Sequence, residues 1–380
     1  MIPDDFGYGE DQSILRREAR RALESQCALE TVRKVMETPS GYDEAMWKRM
    51  AEMGWLGLAV PEAQGGSDLS MVSLATLTEE MGRALLPSPF LGTLFATLVI
   101  REAGSAAQQK AWLPRIVAGD LKAAVATMEK ESGWDLSVAS ATAEKKGDRI
   151  ALSGAKHLVA DAPSAGLIIG TFREPEGLSL FAVESGAEGV RVSPDLLVDQ
   201  TRRSGCVEFS GVQVKDDARI GAPGSALATL SSVMPRMWTA LAAEMAGGTD
   251  RILAITVDYA KVREQFGKPI GAFQAVKHPL VNVMVDVEMT RSLVYRAAAA
   301  IDHEPESAER LARMAKALAS DTYANAVAKA VQLHGGIGFT WECDVHLFFK
   351  RAQWSKFALG DASHHRRRIA ELVSGDAARA

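Results

Sequence analysis

Residues 259–278 read YAKVREQFGKPIGAFQAVKH, and the position of this basic, glycine-bearing elbow between two helical stretches decides how the chain is organised. Before it, Leu241, Met245, Gly248, Ile252, Ile255 and Tyr259 recur at steps of four and three, the spacing that places them on one face of a helix. After it, Phe273, Val276, Leu280, Val283 and Val287 repeat the pattern, and Leu311, Ala315, Leu318 and Thr322 begin a third stripe. Three long helices with seven-residue seams pack side by side as an up-and-down bundle, so Gly267–Gly271 joins the first two. The apolar stripes themselves are core packing. Arg263, near a helix C-terminus and followed by Gln265, offers a forked donor that can bind two phosphate oxygens at once. Taken alone, it is better explained as a solvated cation favoured by the helix macrodipole.

Working outward, the texture of residues 121–225 differs. The short runs RIALSG, LIIGTF, LSLFAVE, VRVSP and CVEFSGVQV alternate with Gly, Asp and Pro turns, the signature of strands in a small, mostly antiparallel sheet. Residues 1–120 are rich in Ala, Leu, Glu and Arg at helical spacing, broken by turn clusters at Pro61–Ser67 and Pro87–Pro89. The expectation is an α+β multidomain chain: a helical N-terminal domain over 1–120, a middle β-sheet domain over 121–225, and a C-terminal domain over 226–380 that resembles a four-helix bundle.

Composition narrows the function. With 380 residues the chain can bury a water-excluding core. A net charge of −5 suggests no nucleic-acid or anionic-membrane partner. No apolar run is long enough for a membrane span, and MIPDDFGYGEDQSILRREAR lacks the core of a secretory signal. Cys27, Cys206 and Cys343 are odd in number and lack CxxC spacing, which fits reduced thiols of a cytoplasmic protein and excludes a zinc site or disulfide framework.

A second motif closes the third helical stripe. Gln332-Leu333-His334-Gly335-Gly336-Ile337-Gly338 puts three glycines in four positions, which permits positive φ and close approach of a ligand to main-chain N–H groups, although one glycine after a helix is most often only its cap. Together, the elbow, this turn, the segment WKRMAEMGWLGLAVPEAQGGSDLS (47–70) and the following EEMGRALLPSP resemble the acyl-CoA dehydrogenase family over nearly the whole chain. The resemblance implies an FAD enzyme, usually a tetramer of two dimers, that converts a fatty or branched acyl-CoA to its trans-2-enoyl thioester; a base takes the α-proton and FAD accepts the β-hydride. It implies FAD bound across a subunit interface, with Arg263, Gln265, Phe266, Gln274, Gln332, Leu333, His334, Gly335 and Gly336 lent to a neighbour's diphosphate and adenosine. His334 is read as a turn residue, not an acid or base. Family members commonly pass electrons to an electron-transferring flavoprotein.

The chain departs from the family's pattern elsewhere. Where the family carries Thr-Glu-Pro and a Gly-Ser-Asp turn at the flavin, this sequence reads Met128-Glu129-Lys130-Glu131-Ser132-Gly133-Trp134-Asp135. Where it carries Trp-Ile-Thr-Asn, the chain reads Leu158-Val159-Ala160-Asp161; leucine cannot stack as indole does, and alanine offers no hydroxyl. The usual catalytic glutamate falls on Leu359, in Ala358-Leu359-Gly360-Asp361, and the alternative helix position falls on Met237. Glu244 and Asp361 are the remaining candidate bases, with an ion pair to a neighbouring helix the plainer role for Glu244. The basic run His364–Arg368 can meet phosphates or simply end a helix.

The losses are one-sided: residues lent to a neighbour are present, whereas those used for the chain's own flavin are altered. The expectation is therefore a subunit of a heteromeric enzyme that completes a partner's FAD site, resembling the base-less member of two-subunit bacterial dehydrogenases of steroid side-chain degradation. Two alternatives stand beside it: a self-sufficient homotetramer with Glu244 or Asp361 as base, and a flavin-free subunit that binds CoA thioesters or assists assembly.

Overall fold

In the computed structural model, residues 5–377 are described. The helices among them are α1 (Glu10–Gln26), α2 (Leu29–Met36), α3 (Glu44–Glu52), α4 (Met71–Arg83), α5 (Phe90–Ala103), α6 (Ala106–Val117), α7 (Ala226–Val262), α8 (Gln274–His303), α9 (Pro305–His334), α10 (Val345–Phe357) and α11 (Ala362–Ala377). The strands of the middle region are β1 (Ala123–Ala126), β2 (Thr142–Lys146), β3 (Arg149–Ala160), β4 (Leu167–Glu174), β5 (Gly177–Glu184), β6 (Val190–Pro194), β7 (Ser204–Val214) and β8 (Arg219–Ile220). These elements form two compact units. One holds the residues up to Lys34, Ser70–Leu86 and those from Pro235 onward; the other holds Val35–Leu69 and Pro87–Met234.

The first unit is helical. Leu241, Met245 and Ile252 of α7, Leu280, Val283 and Val287 of α8, and Ala315 and Thr322 of α9 are buried, whereas Ile255, Tyr259, Phe273, Val276, Leu311 and Leu318 of the same stripes are half-buried. Charges also lie inside. Glu79 and Glu80 on α4 are almost fully buried. Glu79 accepts from Arg16 (2.7 Å) of α1 and from Arg291 (2.7 Å) and Tyr295 (2.8 Å) of α8. Glu80 receives two bonds from Arg20, at 2.7 and 2.9 Å. Forked guanidinium–carboxylate bonds of this kind satisfy buried charge with good geometry, and they tie α1, α4 and α8 together.

The second unit is built on a sheet of order β6-β7-β3-β2-β4-β5-β8, with β1 parallel to β4. Most neighbours are antiparallel. Ile150, Leu152, Phe172, Phe181, Val207, Phe209 and Val212 form the core of the sheet, with Phe172 edge-on to Phe209 at 5.0 Å. The β3–β7 register slips between Lys156 and Val159. At this bulge Leu158 takes φ +50° and stays 56% exposed, so the irregularity turns its side chain out of the core.

One polar pair inside this unit sets the path of the loop between β1 and β2. Lys156 of β3 has no exposure, and its Nζ lies 2.6 Å from Glu129 Oε1 and 2.9 Å from Thr171 Oγ1. Glu129 also accepts from Ser140 N (2.6 Å), Ser140 Oγ (2.6 Å) and Ala141 N (3.1 Å). Burial pushes this carboxyl up, but the bonds from Lys156, from the Ser140 hydroxyl and from the two amides outweigh it and hold the group at about 2. A carboxyl depressed in the folded chain stabilises fully above its ordinary 4.5, and this stabilisation is lost as pH falls toward 2. Replacing Lys156 by Met strands a buried carboxylate, and urea unfolding should show a loss of about 3–5 kcal/mol. Glu129→Gln should flatten the acid-unfolding curve between pH 4.5 and about 2.

Candidate functional site

The elbow is a tight hairpin. α7 ends at Val262, Arg263 N bonds Tyr259 O (2.9 Å), and Glu264–Gln265 pairs antiparallel with Lys268–Pro269. The two turn residues, Phe266 and Gly267, have φ +55° and +75°, as the two-residue hairpin turn with both central residues left-handed demands. Phe266 is 92% exposed and meets Phe273 edge-on at 6.0 Å, while Lys268 stands 4.5 Å over the Phe273 ring. Arg263, Gln265 and Gln274 are exposed, and the Arg263 guanidinium has no partner among the described residues.

The glycine turn ends α9. Gln332 is exposed, Leu333 half-buried and His334 buried. His334 Nδ1 lies 2.8 Å from Ala330 O, so it carries the proton and donates. Burial lowers the affinity of this imidazole for a second proton, only partly offset by the Ala330 bond, so His334 is neutral at pH 7 and adds no cation. Gly335, at φ +64°, and Gly336 are exposed, and a Cβ on either would meet nothing within 4 Å. Bare main chain therefore faces open space. Gly338 differs, since a Cβ there would reach Val331 O at 2.8 Å; its role is packing.

One contact brings the two motifs together. The Tyr259 ring, one turn before the elbow, stacks on the His334 ring with centroids 4.2 Å apart and planes at 20°, and Tyr259 Oη lies 3.4 Å from His334 O. The ends of a 37-residue and a 30-residue helix are thereby pinned side by side, and Arg263 and Gly335–Gly336 belong to one end of one unit. This geometry suits an anionic group of two phosphates: a forked donor, amide side chains, and bare main chain open to close approach.

The ring-side residues lie in the other unit and are arranged differently. Ser132 Oγ accepts from Glu129 N (2.8 Å) and donates to Glu129 O (3.0 Å). Asp135 Oδ1 takes Ser137 N (2.9 Å) and Ser137 Oγ (2.6 Å). His157 N donates to Met128 O (2.8 Å), and Asp161 Oδ2 accepts from Gly92 N (2.9 Å). Glu129 takes both donors of Ser140. The polar groups of this loop are spent on the loop itself, and the outward residue of the bulge is the aliphatic Leu158, so this half does not fit the polar edge and stacking face of an isoalloxazine ring.

The base positions are equally plain. Met237 is buried at 2% exposure, and Leu359 is half-buried with φ +58°; neither side chain accepts a proton. Glu244 is 5% exposed, and its Oε1 lies 3.0 Å from Arg351 of α10, itself 1% exposed. The carboxylate is thus engaged by a cation of a neighbouring helix. Asp361 caps α11, accepting from His364 N at 2.7 Å. Among the described residues no group of His, Cys, Asp and Glu is arranged to hold a metal, and no helix is long and apolar enough to cross a membrane. Sequence reasoning missed Arg351, Arg313 and Lys316 as buried cations; their one visible signal is a charge on an otherwise Ala-rich or apolar helix face.

Comparison with known proteins gives a consistent result. The chain matches the models of the acyl-CoA dehydrogenase N-terminal domain over residues 9–120, middle domain over 124–212 and C-terminal domain over 230–374. Acyl-CoA dehydrogenase IpdE2 of Mycobacterium tuberculosis (strain ATCC 25618 / H37Rv) is 30% identical over 365 residues, 96% of this chain and 98% of that one. Among solved structures, a single-site variant of the Tcur3481-Tcur3483 steroid ACAD shares 33% identity at a TM-score of 0.88, covering 97% of this chain and 99% of that chain. The ChsE4-ChsE5 complex from Mycobacterium tuberculosis shares 25% identity at 0.89, covering 97% and 98%.

If Glu244 serves only to neutralise Arg351, Glu244→Ala should cost about 3–5 kcal/mol in urea unfolding through the stranded guanidinium, and the variant that remains folded should support as much turnover as wild type in the assembled enzyme. Loss of turnover at an unchanged unfolding midpoint would instead make Glu244 the base.

Proposed function

The chain belongs to the acyl-CoA dehydrogenase family, FAD-dependent oxidoreductases that act on a CH–CH bond of an acyl-CoA, and from that premise we propose that it is the base-less subunit of a heteromeric enzyme. In this reading it lends a diphosphate grip to an FAD whose ring and catalytic base belong to a partner subunit of the same family. The single observation that carries it is the contrast between the two halves. Arg263 presents an unspent guanidinium, and Gly335 and Gly336 bare main chain, at an exposed end of one unit, although the Gly335 N–H itself donates to Gln332 O, whereas the ring-side loop of the other has turned its donors inward through Glu129 and Ser132. Further support comes from the two-component names of the Tcur3481-Tcur3483 and ChsE4-ChsE5 relatives.

The roles of the chain's own residues follow from their chemistry. Arg263 binds diphosphate oxygens through a forked pair of charged hydrogen bonds. Gln265 and Gln274 offer neutral donors beside it, and Gly335 and Gly336 let main-chain N–H groups approach closely. Tyr259 and His334 keep the two motifs in register. When bound, FAD supplies the hydride acceptor. Neither Leu359 nor Met237 moves a proton, so the base that removes the α-proton of the acyl-CoA comes from the partner, in a cytoplasmic tetramer.

The test is purification of the chain alone and with its partner. Alone it should carry little flavin and no turnover, and the partner should restore both. Within that complex Arg263→Ala should weaken FAD retention by about tenfold to a hundredfold, the worth of a hydrogen bond to a charged group. A yellow, active preparation of this chain by itself would contradict the reading.

A further inference from the structure

Behind the Leu359–Gly360 turn lies a buried polar cluster that the cofactor grip does not use. Lys316, in the middle of α9, has no exposure. Its Nζ donates to Ser320 Oγ (3.0 Å), Gly360 O (3.0 Å) and Lys356 O (3.3 Å). All three acceptors are neutral, and no carboxylate lies within ion-pair distance among the described residues. From α7, Trp238 Nε1 donates to Leu359 O at 3.0 Å. Two consecutive carbonyls of one turn are thus each held by a buried donor on a different helix.

The turn needs holding. Leu359 has φ +58°, a conformation that a branched side chain rarely adopts unless its surroundings impose it. Gly360 has φ +105°, and a Cβ there would come within 2.9 Å of His365 Nε2. His365 of α11 is fully buried.

The other charged groups around the amine are accounted for. Arg313 of α9 stands 4.0 Å over the Trp238 ring and pairs with Glu309 at 2.8 Å. Asp321 of α9 pairs with Arg366 of α11. Asp361 caps α11, and the Lys356 ammonium of α10 lies 5.4 Å over the Phe357 ring. Burial, with Lys316 and Arg313 close by, keeps His365 neutral at pH 7, and burial with Arg313 and Arg367 lowers His364.

We propose that Lys316 is a positioning residue: its buried ammonium, bonded to the Gly360 and Lys356 carbonyls, fixes the left-handed turn that bears Leu359, where base-carrying relatives place their glutamate. Lys316 has no exposed surface with which to touch substrate, so it acts only through the turn. The meaning of this position rests on the family reading of the chain, but the grip itself does not.

The grip depends on a proton. Burial, opposed only by Asp361 and Asp321, brings Lys316 from its ordinary 10.5 to about 7. An ammonium has three hydrogens for its three acceptors, and a neutral amine has two, so raising the pH through 7 takes one bond from the clamp. Global stability moves the other way. Because the folded value lies below the unfolded one, the unfolded chain holds the extra proton between about pH 7 and 10.5, and stability rises with pH across that window. Local loosening with global strengthening separates this device from an ordinary structural lysine.

Hydrogen exchange on the full chain, corrected for intrinsic rates, tests it at pH 6 and pH 9 over residues 354–365, alongside urea midpoints. In the wild type, protection of the turn should fall by about tenfold from pH 6 to pH 9, roughly one hydrogen bond, while Lys316's share of the urea midpoint rises. Lys316→Met should leave the turn poorly protected at both pH values and should lack that rise. If Lys316→Met fails to fold, the wild-type comparison and Ser320→Ala, which leaves two acceptors for the neutral amine's two hydrogens and should therefore blunt the pH response, still decide. Equal wild-type protection at both pH values, or a Lys316→Met turn as protected as wild type, would overturn the proposal. Because exchange is read on this chain by itself, the outcome is independent of whether the chain donates a flavin grip.

Discussion

The stacking of Tyr259 on His334 is the contact on which the functional reading depends. Two helices of 37 and 30 residues end in unlike motifs, one a hairpin and the other a glycine turn. Neither motif alone is more than a common way to finish a helix. Two rings at 4.2 Å place them at a single end of the unit and leave Arg263, Gln265 and the Gly335–Gly336 main chain facing outward. His334 is neutral in this arrangement because burial disfavours its charged form and outweighs the Ala330 bond.

Polar groups are used oppositely elsewhere. Glu129, Glu244 and Lys316 are carboxylates and amines at which catalysis is easily imagined, yet each is engaged internally: Glu129 with Lys156 and a serine, Glu244 with Arg351, Lys316 with carbonyls. Ion pairs of this kind contribute little net stability over an apolar core but are costly to break. Their effect is to fix loops and turns, and here they fix the ring-side loop in a form that consumes its own donors. The division is chemical: an exposed guanidinium without a partner among the described residues at one end of the helical unit, self-satisfied donors around Leu158 in the sheet unit.

Much of the fold was legible because periodicity carries it. The stripes through Leu241, Leu280 and Ala315 reported three long helices, and alternating runs reported β3 to β7. Three strands were not legible, among them the two-residue β8, Arg219–Ile220, which pairs with β5. β1 is Ala-Ala-Val-Ala, which local preference assigns to helix, and β2 is Thr-Ala-Glu-Lys-Lys, in which only Ala143 is buried; both are strands because neighbouring strands pair with them. The compact units also recombine distant pieces, with Ser70–Leu86 grouping with the C-terminal helices, and no local pattern announces this. Within the site, the motif residues could be named from sequence, as could the missing donors at Met128 and Leu158. The buried cations could not: Arg351 and Glu244 are 107 positions apart, and Lys316 meets Gly360 across 44. Such pairings are set by packing and leave only a charge on an apolar face.

The most direct measurement is a structure of the flavin-loaded oligomer formed by this chain and its partner. The account predicts the FAD diphosphate against Arg263 and the Gly335–Gly336 main chain of this polypeptide, with the isoalloxazine ring enclosed by a different polypeptide. A ring bound beside Leu158 and the 128–135 loop of this chain, or an elbow and glycine turn facing only solvent, would contradict it.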